Sequence, residues 1–326
     1  MGIFANVPGI NVNITGPMFL PACTLAGIYM GQIKSWADPS ILNANPIWAS
    51  WATSQPSSAL TIQLFRRSAY DSSSVGLDQY LSSTCPSVWV PGSLANAPAT
   101  RVIDRDTMVS SLSGTPMGLG YAELGIGKQA GLQEVALQLY SDPTQFRTSA
   151  TATYAAAVAS GPAIPSSPTS DFSSLSFVNM PSDSAYPITM MTYMILRTDL
   201  RSLGSSGGVL RALIRYLLSA EGQAETSVYG FAPLPPSIAA SSLVATNFMM
   251  IDPYSGDFFF ENSGQVGPLG GPDLPTPSVP LDRSLPSLPL LLLLPAPALR
   301  GRLRQGDLRP PRQLHLGPPG ALGPDR

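Results

Sequence analysis

Apolar and polar positions alternate between two periods along the first 220 residues, and the changes of period mark the elements. Leu25, Ile28 and Tyr29 recur at helical spacing from Thr24 to Gly31, with Pro21 suited to the helix entrance. A polar turn, SWADPS, leads into a second short helix ending near NANP. Leu60 to Phe65, LTIQLF, reads as a strand ending in Arg66 and Arg67; after SAYDSSS comes an amphipathic helix that starts at Asp71 and stops near Ser82 and Ser83. Gly114-Thr115-Pro116 turns into a strand over Met117–Leu124, and Gln133–Tyr140 alternates well enough for another. Pro143 to Ser160 predicts a long alanine-rich helix, stopped by Gly161-Pro162. The run TMMTYMILR after Tyr186 predicts a strand buried on both faces. Val209, Leu210, Leu213, Ile214, Leu217 and Leu218 form one apolar stripe of a helix, with Arg211 and Arg215 on its wet side. Strands alternating with helices predict an α/β layered fold.

From Gly267 the pattern disappears. Proline recurs every few positions, aromatic residues vanish, and Leu290–Leu294, closed by Pro289 and Pro295, is too short to span a bilayer. The composition predicts a disordered tail. That tail holds seven arginines and four acids, so the formal charge of −2 over 326 residues conceals an acidic remainder of 11 basic against 16 acidic residues before Gly267. An acidic body without a basic stripe or stacking aromatics argues against nucleic acid as a partner.

The sole histidine, His315, lies in the tail, which leaves no histidine base for Ser-His-Asp chemistry in the patterned region. Cys23 and Cys85 are the only thiols; their spacing and the lack of nearby histidine exclude zinc and thioredoxin-like sites. Whether they pair in an oxidising compartment or stay buried and free is open at this level. No metal or cofactor site is expected. The first residues carry neither the charged nor the continuous apolar region of a signal peptide. Asn13-Ile14-Thr15 is a glycosylation sequon with meaning only in an exported eukaryotic protein.

The chemistry concentrates between Leu60 and Leu81. A strand ending in Arg66-Arg67, followed by a helix start rich in serine, is the layout of an oxyanion site: a guanidinium fork, free backbone N–H groups and the positive end of a helix dipole. The same residues also read as an ordinary N-cap, Asp71, with solvated strand-end charges. Ser72 or Ser73 as a hydrolytic nucleophile lacks an activating base.

Five stretches, Thr24–Pro46, Leu60–Leu81, Thr115–Leu124, Tyr186–Leu196 and the segment from Val209 to Ile238, together resemble the PstS-type phosphate-binding proteins, over roughly Asn6 to Ala240. The resemblance implies a type II periplasmic-binding-protein-like α/β fold, with one complete lobe plus the C-terminal part of the other. On that basis residues 1–8 are a hinge or crossover strand, 9–185 the second lobe, 186–250 a returning part of the first lobe, and 251–326 the proline-rich tail. It further implies a non-enzymatic solute-binding module for inorganic phosphate or a related oxyanion, extracellular or periplasmic, with a membrane transporter or receptor as partner. The family pattern is an arginine, three residues, then Ser-Gly-Thr opening a helix. Arg67 takes the arginine position, and Asp71, Ser72 and Ser73 take the other three, making these four the expected phosphate-binding residues. Asp71 departs from the pattern, since a carboxylate beside a dianion is repulsive unless a proton lies between them; it either caps the helix or accepts a hydrogen bond from a protonated phosphate oxygen. A sensory or adhesion module that keeps the fold without binding phosphate is the alternative.

Overall fold

In the computed structural model, residues 1–9, 16–165, 167, 170–226 and 231–253 are described. The proline-rich stretch from Gly267, His315 and the sequon at Asn13 lie outside them. Among the described residues a seven-stranded sheet runs in the order β2-β6-β1-β5-β3-β4, with β7 paired to β6. The strands are β1 (Gly2–Asn6), β2 (Met18–Leu20), β3 (Gln63–Arg67), β4 (Thr100–Val102), β5 (Gly118–Ala122), β6 (Gln133–Gln138) and β7 (Phe146–Arg147). The pairs β2/β6, β3/β5 and β3/β4 are parallel, whereas β1 runs antiparallel to both β5 and β6. Five of the seven strands thus run one way, with β1 reversed in the middle and β7 reversed beside β6, a mixed α/β arrangement.

Helices cover both faces, and β5 shows why. Its odd-numbered side chains, Leu119 and Tyr121, face α1 (Ala22–Tyr29) and α4 (Ser72–Thr84), where Tyr29 lies 6.3 Å from Tyr121 and 6.5 Å from Trp89 between ring centroids. Its even-numbered glycines face α5 (Arg105–Gly114). A methyl group on Gly120 would stand 2.9 Å from the Met108 sulfur, and one on Gly118 would stand 2.9 Å from the Thr115 carbonyl. Two bare positions therefore let α5 lie directly on the strand. Asn6 closes the same corner, donating to the carbonyls of Leu112 (2.8 Å) and Thr115 (3.2 Å) at the end of α5.

Cys23 and Cys85 form a disulfide that joins the start of α1 to the C-cap of α4, with Cα atoms 5.2 Å apart across a sequence separation of 62. Spacing alone left that pairing open. Between α1 and β3 lie α2 (Pro39–Ala44), N-capped by Asp38, and α3 (Ala49–Ser54). Trp36 is buried and donates its indole N–H to the Met117 carbonyl at 3.1 Å, a packing role. After β5 come α6 (Leu124–Gln129) and then α7 (Thr151–Ser160).

Several features differ from the sequence pattern; β3 starts at Gln63 rather than Leu60, which lies in a 3-10 turn. The expected helix from Pro143 begins only at Thr151, because Phe146–Arg147 pairs with the edge of β6 as β7 and a backbone bonded there cannot also wind into a helix. The run TMMTYMILR is not a buried strand. Only Ile188–Thr189 (β9) pairs, with β8 (Phe177–Val178), and Ile195 is 71% exposed; no described strand lies alongside to satisfy the backbone of residues 190–197. Arg215 of α8 (Ser205–Leu218) is not a free surface charge, since it donates to Thr246 Oγ1 and Asn247 Oδ1 at 2.9 Å each. There a small second core forms around Leu200, Ile214 and Met249, apart from the main one, beside α9 (Ala220–Thr226) and α10 (Pro236–Ala245).

Candidate anion-binding site

β3 runs parallel to both its neighbours, so its carboxyl end, Arg66-Arg67, opens onto the edge of the sheet where the following loop turns into α4. In open α/β sheets this edge is where ligands are held. Asp71 adopts an extended backbone and accepts the Ser74 N–H on Oδ1 at 3.0 Å, an N-cap that fixes where the helix begins. Its second oxygen receives the Arg67 guanidinium at 2.9 Å, with the two side chains 13% and 25% exposed.

The contacts form a closed ring. Ser74 Oγ meets Asp71 Oδ1 at 3.0 Å and the Tyr121 hydroxyl at 2.8 Å, and that hydroxyl accepts the Arg67 backbone N–H at 3.0 Å. Strand end, helix start and the neighbouring strand β5 are thereby locked together. Burial raises the Tyr121 pKa above its ordinary value, which keeps the hydroxyl protonated and able to serve both partners. Arg67 Nε is buried and has no hydrogen-bond partner.

Beside this ring lies a cavity of about 80 Å³ lined by Arg66, Arg67 and Arg101, by Tyr70 and Ser74, and by Leu94 and Ala95 of the loop after α4. It has room for a few waters or one small anion. Asp78 holds that loop in place: its buried carboxylate accepts the Trp89 indole N–H at 2.9 Å and the Gly92 N–H at 2.9 Å. From the same loop the Ala97 carbonyl accepts Arg66 Nε at 3.3 Å.

The four residues expected from the sequence divide. Arg67 lines the cavity and is ion-paired to Asp71; Asp71 is the helix cap; Ser72 and Ser73 lie in the first turn of α4 but do not line the cavity, where Ser74 stands instead. Arg101, Ser74 and the hydroxyl of Tyr121 were not singled out as site residues. Ser74 had a readable signal, since the third residue after an N-cap is the one the cap binds. Arg101 had none, because it sits on a three-residue strand, TRV, too short to show a period.

No group of His, Cys, Asp or Glu side chains among the described residues could hold a metal ion. No described helix is long and apolar enough to cross a membrane.

A family model described as a PBP superfamily domain matches residues 8–221, well over half of the 326. The chain belongs to the PBP superfamily. Several solved structures are similar to this PBP superfamily member. One is a high-affinity periplasmic phosphate-binding protein, PfluDING, bound with phosphate: 14% identity, 74% of this chain and 68% of that one covered, TM-score 0.48. A second is an ABC-type phosphate transport receptor from Vibrio cholerae: 17% identity, 42% and 45% covered, TM-score 0.29. A third is a possible phosphate binding protein from Planctomyces limnophilus: 13% identity, 76% and 70% covered, TM-score 0.38. The match to the Vibrio receptor thus spans under half of that receptor's length. Comparison with curated proteins finds no match.

Proposed function

We propose that this chain is a solute-binding module, acting by capture and not by catalysis, whose ligand is inorganic phosphate or a related oxyanion held at the carboxyl end of β3. The observation that carries this reading is the cavity itself, where the guanidinium groups of Arg66, Arg67 and Arg101 gather beside the positive end of α4. Arg67, ion-paired to Asp71, forms part of the cavity wall, and Ser74 in the first turn of α4 supplies the helix side of the cradle. Asp71 aligns that cradle as its cap. The resemblance of five segments to PstS-type proteins supports phosphate as the anion.

In this reading residues 9–185 are one lobe of a two-lobed receptor and residues 186–250 a returning part of the other. The reversed direction of β1 suits a crossover strand between lobes. An oxidising location, periplasmic or extracellular, is supported by the Cys23–Cys85 disulfide, and a membrane transporter or receptor is the natural recipient of the captured anion.

Calorimetric titration of the whole chain with phosphate, sulfate and chloride tests the proposal. Uptake of phosphate that weakens in Arg67→Ala, where Asp71 is left unpaired beside the anion, is the expected result. A second reading, a sensory or adhesion module of the same fold that no longer binds phosphate, is favoured by one contact: the Arg67–Asp71 ion pair already gives that guanidinium an anion. Silence toward every oxyanion would select it.

A further inference from the structure

The arginine whose charge the fold leaves unanswered is Arg66, not Arg67. Arg66 is 4% exposed, and its guanidinium donates only to main-chain carbonyls, Ala97 O at 3.3 Å and Arg67 O at 3.1 Å. Its register partner across the parallel β3/β4 pair is Arg101, so the two side chains leave neighbouring strands side by side, from backbones about 4.8 Å apart. No carboxylate among the described residues makes an ion pair with either, whereas Arg67 has Asp71. Burial first, and then the neighbouring Arg101, pull Arg66 below the ordinary arginine pKa, as expected for a cation enclosed beside its like. A buried charge without a counter-ion is among the costlier arrangements a fold can hold. Here both arginines line the same cavity.

We propose that the anion is seated between Arg66 and Arg101, which together supply two charges to a compact, doubly charged tetrahedral oxyanion, while Arg67 is held by Asp71 as part of the wall. This rests on the oxyanion-binding reading above and assigns its counter-charge. Two planar guanidinium forks on adjacent strands can each present paired N–H groups to such an ion. The mouth is set by exposed Arg101 and half-exposed Tyr70, and the cavity of about 80 Å³ has room for a single tetrahedral group. A singly charged anion leaves one of the two cations unanswered and binds more weakly.

The test is titration of the whole chain with inorganic phosphate, with sulfate and with nitrate, for the wild type and three variants. Arg101→Gln, an exposed position that leaves the fold intact, is expected to weaken phosphate binding by about tenfold or more. Arg66→Lys keeps a charge but loses the fork and is expected to weaken it similarly; a circular dichroism melt verifies that this buried variant folds. Arg105→Gln, an arginine outside the cavity, serves as control and leaves affinity within about twofold. Phosphate binding that survives both Arg101→Gln and Arg66→Lys overturns this seat while leaving the oxyanion reading standing. Equal losses in Arg101→Gln and Arg105→Gln overturn it too, since the effect would then be the general field of the surface. A wild type silent toward phosphate and sulfate overturns the seat and the oxyanion reading together.

Discussion

Breaking the Cys23–Cys85 bond should cost the protein a large share of its stability. The disulfide closes a loop with a sequence separation of 62, and for a loop of that length the chain-entropy relation gives about 4 kcal/mol at 25 °C. Domains of 150–250 residues lose roughly 2–4 °C of melting temperature per kcal/mol, so reduction should lower the midpoint by about 8–16 °C. The bond is accessible to the experiment because Cys23 is exposed, although Cys85 is buried at the end of α4. The assay is a pair of melts by circular dichroism, with and without a phosphine reductant, with thiol titration confirming two free cysteines before heating. The double variant Cys23→Ala/Cys85→Ala, melted without reductant, removes any side effect of the reagent and should match the reduced protein. Midpoints that agree within about 2 °C, with both thiols titrated, would refute the reasoning: the open chain would then be as restricted as the closed one.

Three further outcomes follow from the site and its supports. Asp71→Asn keeps a cap acceptor and should lose no more than about 1 kcal/mol of stability, yet should tighten phosphate binding by about tenfold as Arg67 is released to the anion; unchanged affinity in calorimetry counts against Asp71 as a competing anion. Tyr121→Phe opens the ring by deleting the hydroxyl between Ser74 and the Arg67 N–H and should cost about 1–3 kcal/mol in urea denaturation; a loss below about 0.5 kcal/mol would show that the ring adds no stability. Gly118→Ala should cost more than Gly120→Ala, at about 2–3 against about 1 kcal/mol, because the new methyl meets the Thr115 carbonyl in one case and the movable end of Met108 in the other; the reverse order would put α5 elsewhere on the sheet.

How far the residues announced this arrangement varies with the distance over which each feature is decided. α4, β5 and β6 are set locally by period, caps and turns and appear close to where their patterns placed them, as does the N-cap at Asp71, whereas β3 starts three residues after Leu60, which lies in a 3-10 turn. β7 and the unpaired run after Thr189 were misread because an apolar segment becomes a strand only if another strand is there to bond it. Phe146–Arg147 had the edge of β6, and residues 190–197 had no described neighbour. For the site, Arg67, Asp71 and the serines were visible because they are contiguous. The pairing of Arg66 with Arg101 and the passage of the Tyr121 hydroxyl into the ring depend on strand order, which no local pattern encodes.

The reversed central strand has a consequence for biosynthesis. β1 is synthesised well before its partners, since Gly2 pairs with Ala122 and Phe4 with Glu134, so its five largely buried residues wait through the synthesis of most of the sheet before either neighbour exists. Until then GIFAN is an apolar strand with two open edges, exposed to any other unfinished chain. Yield in the cell should therefore respond to holdase chaperones that shield the waiting β1 segment more than to factors that act on the finished sheet.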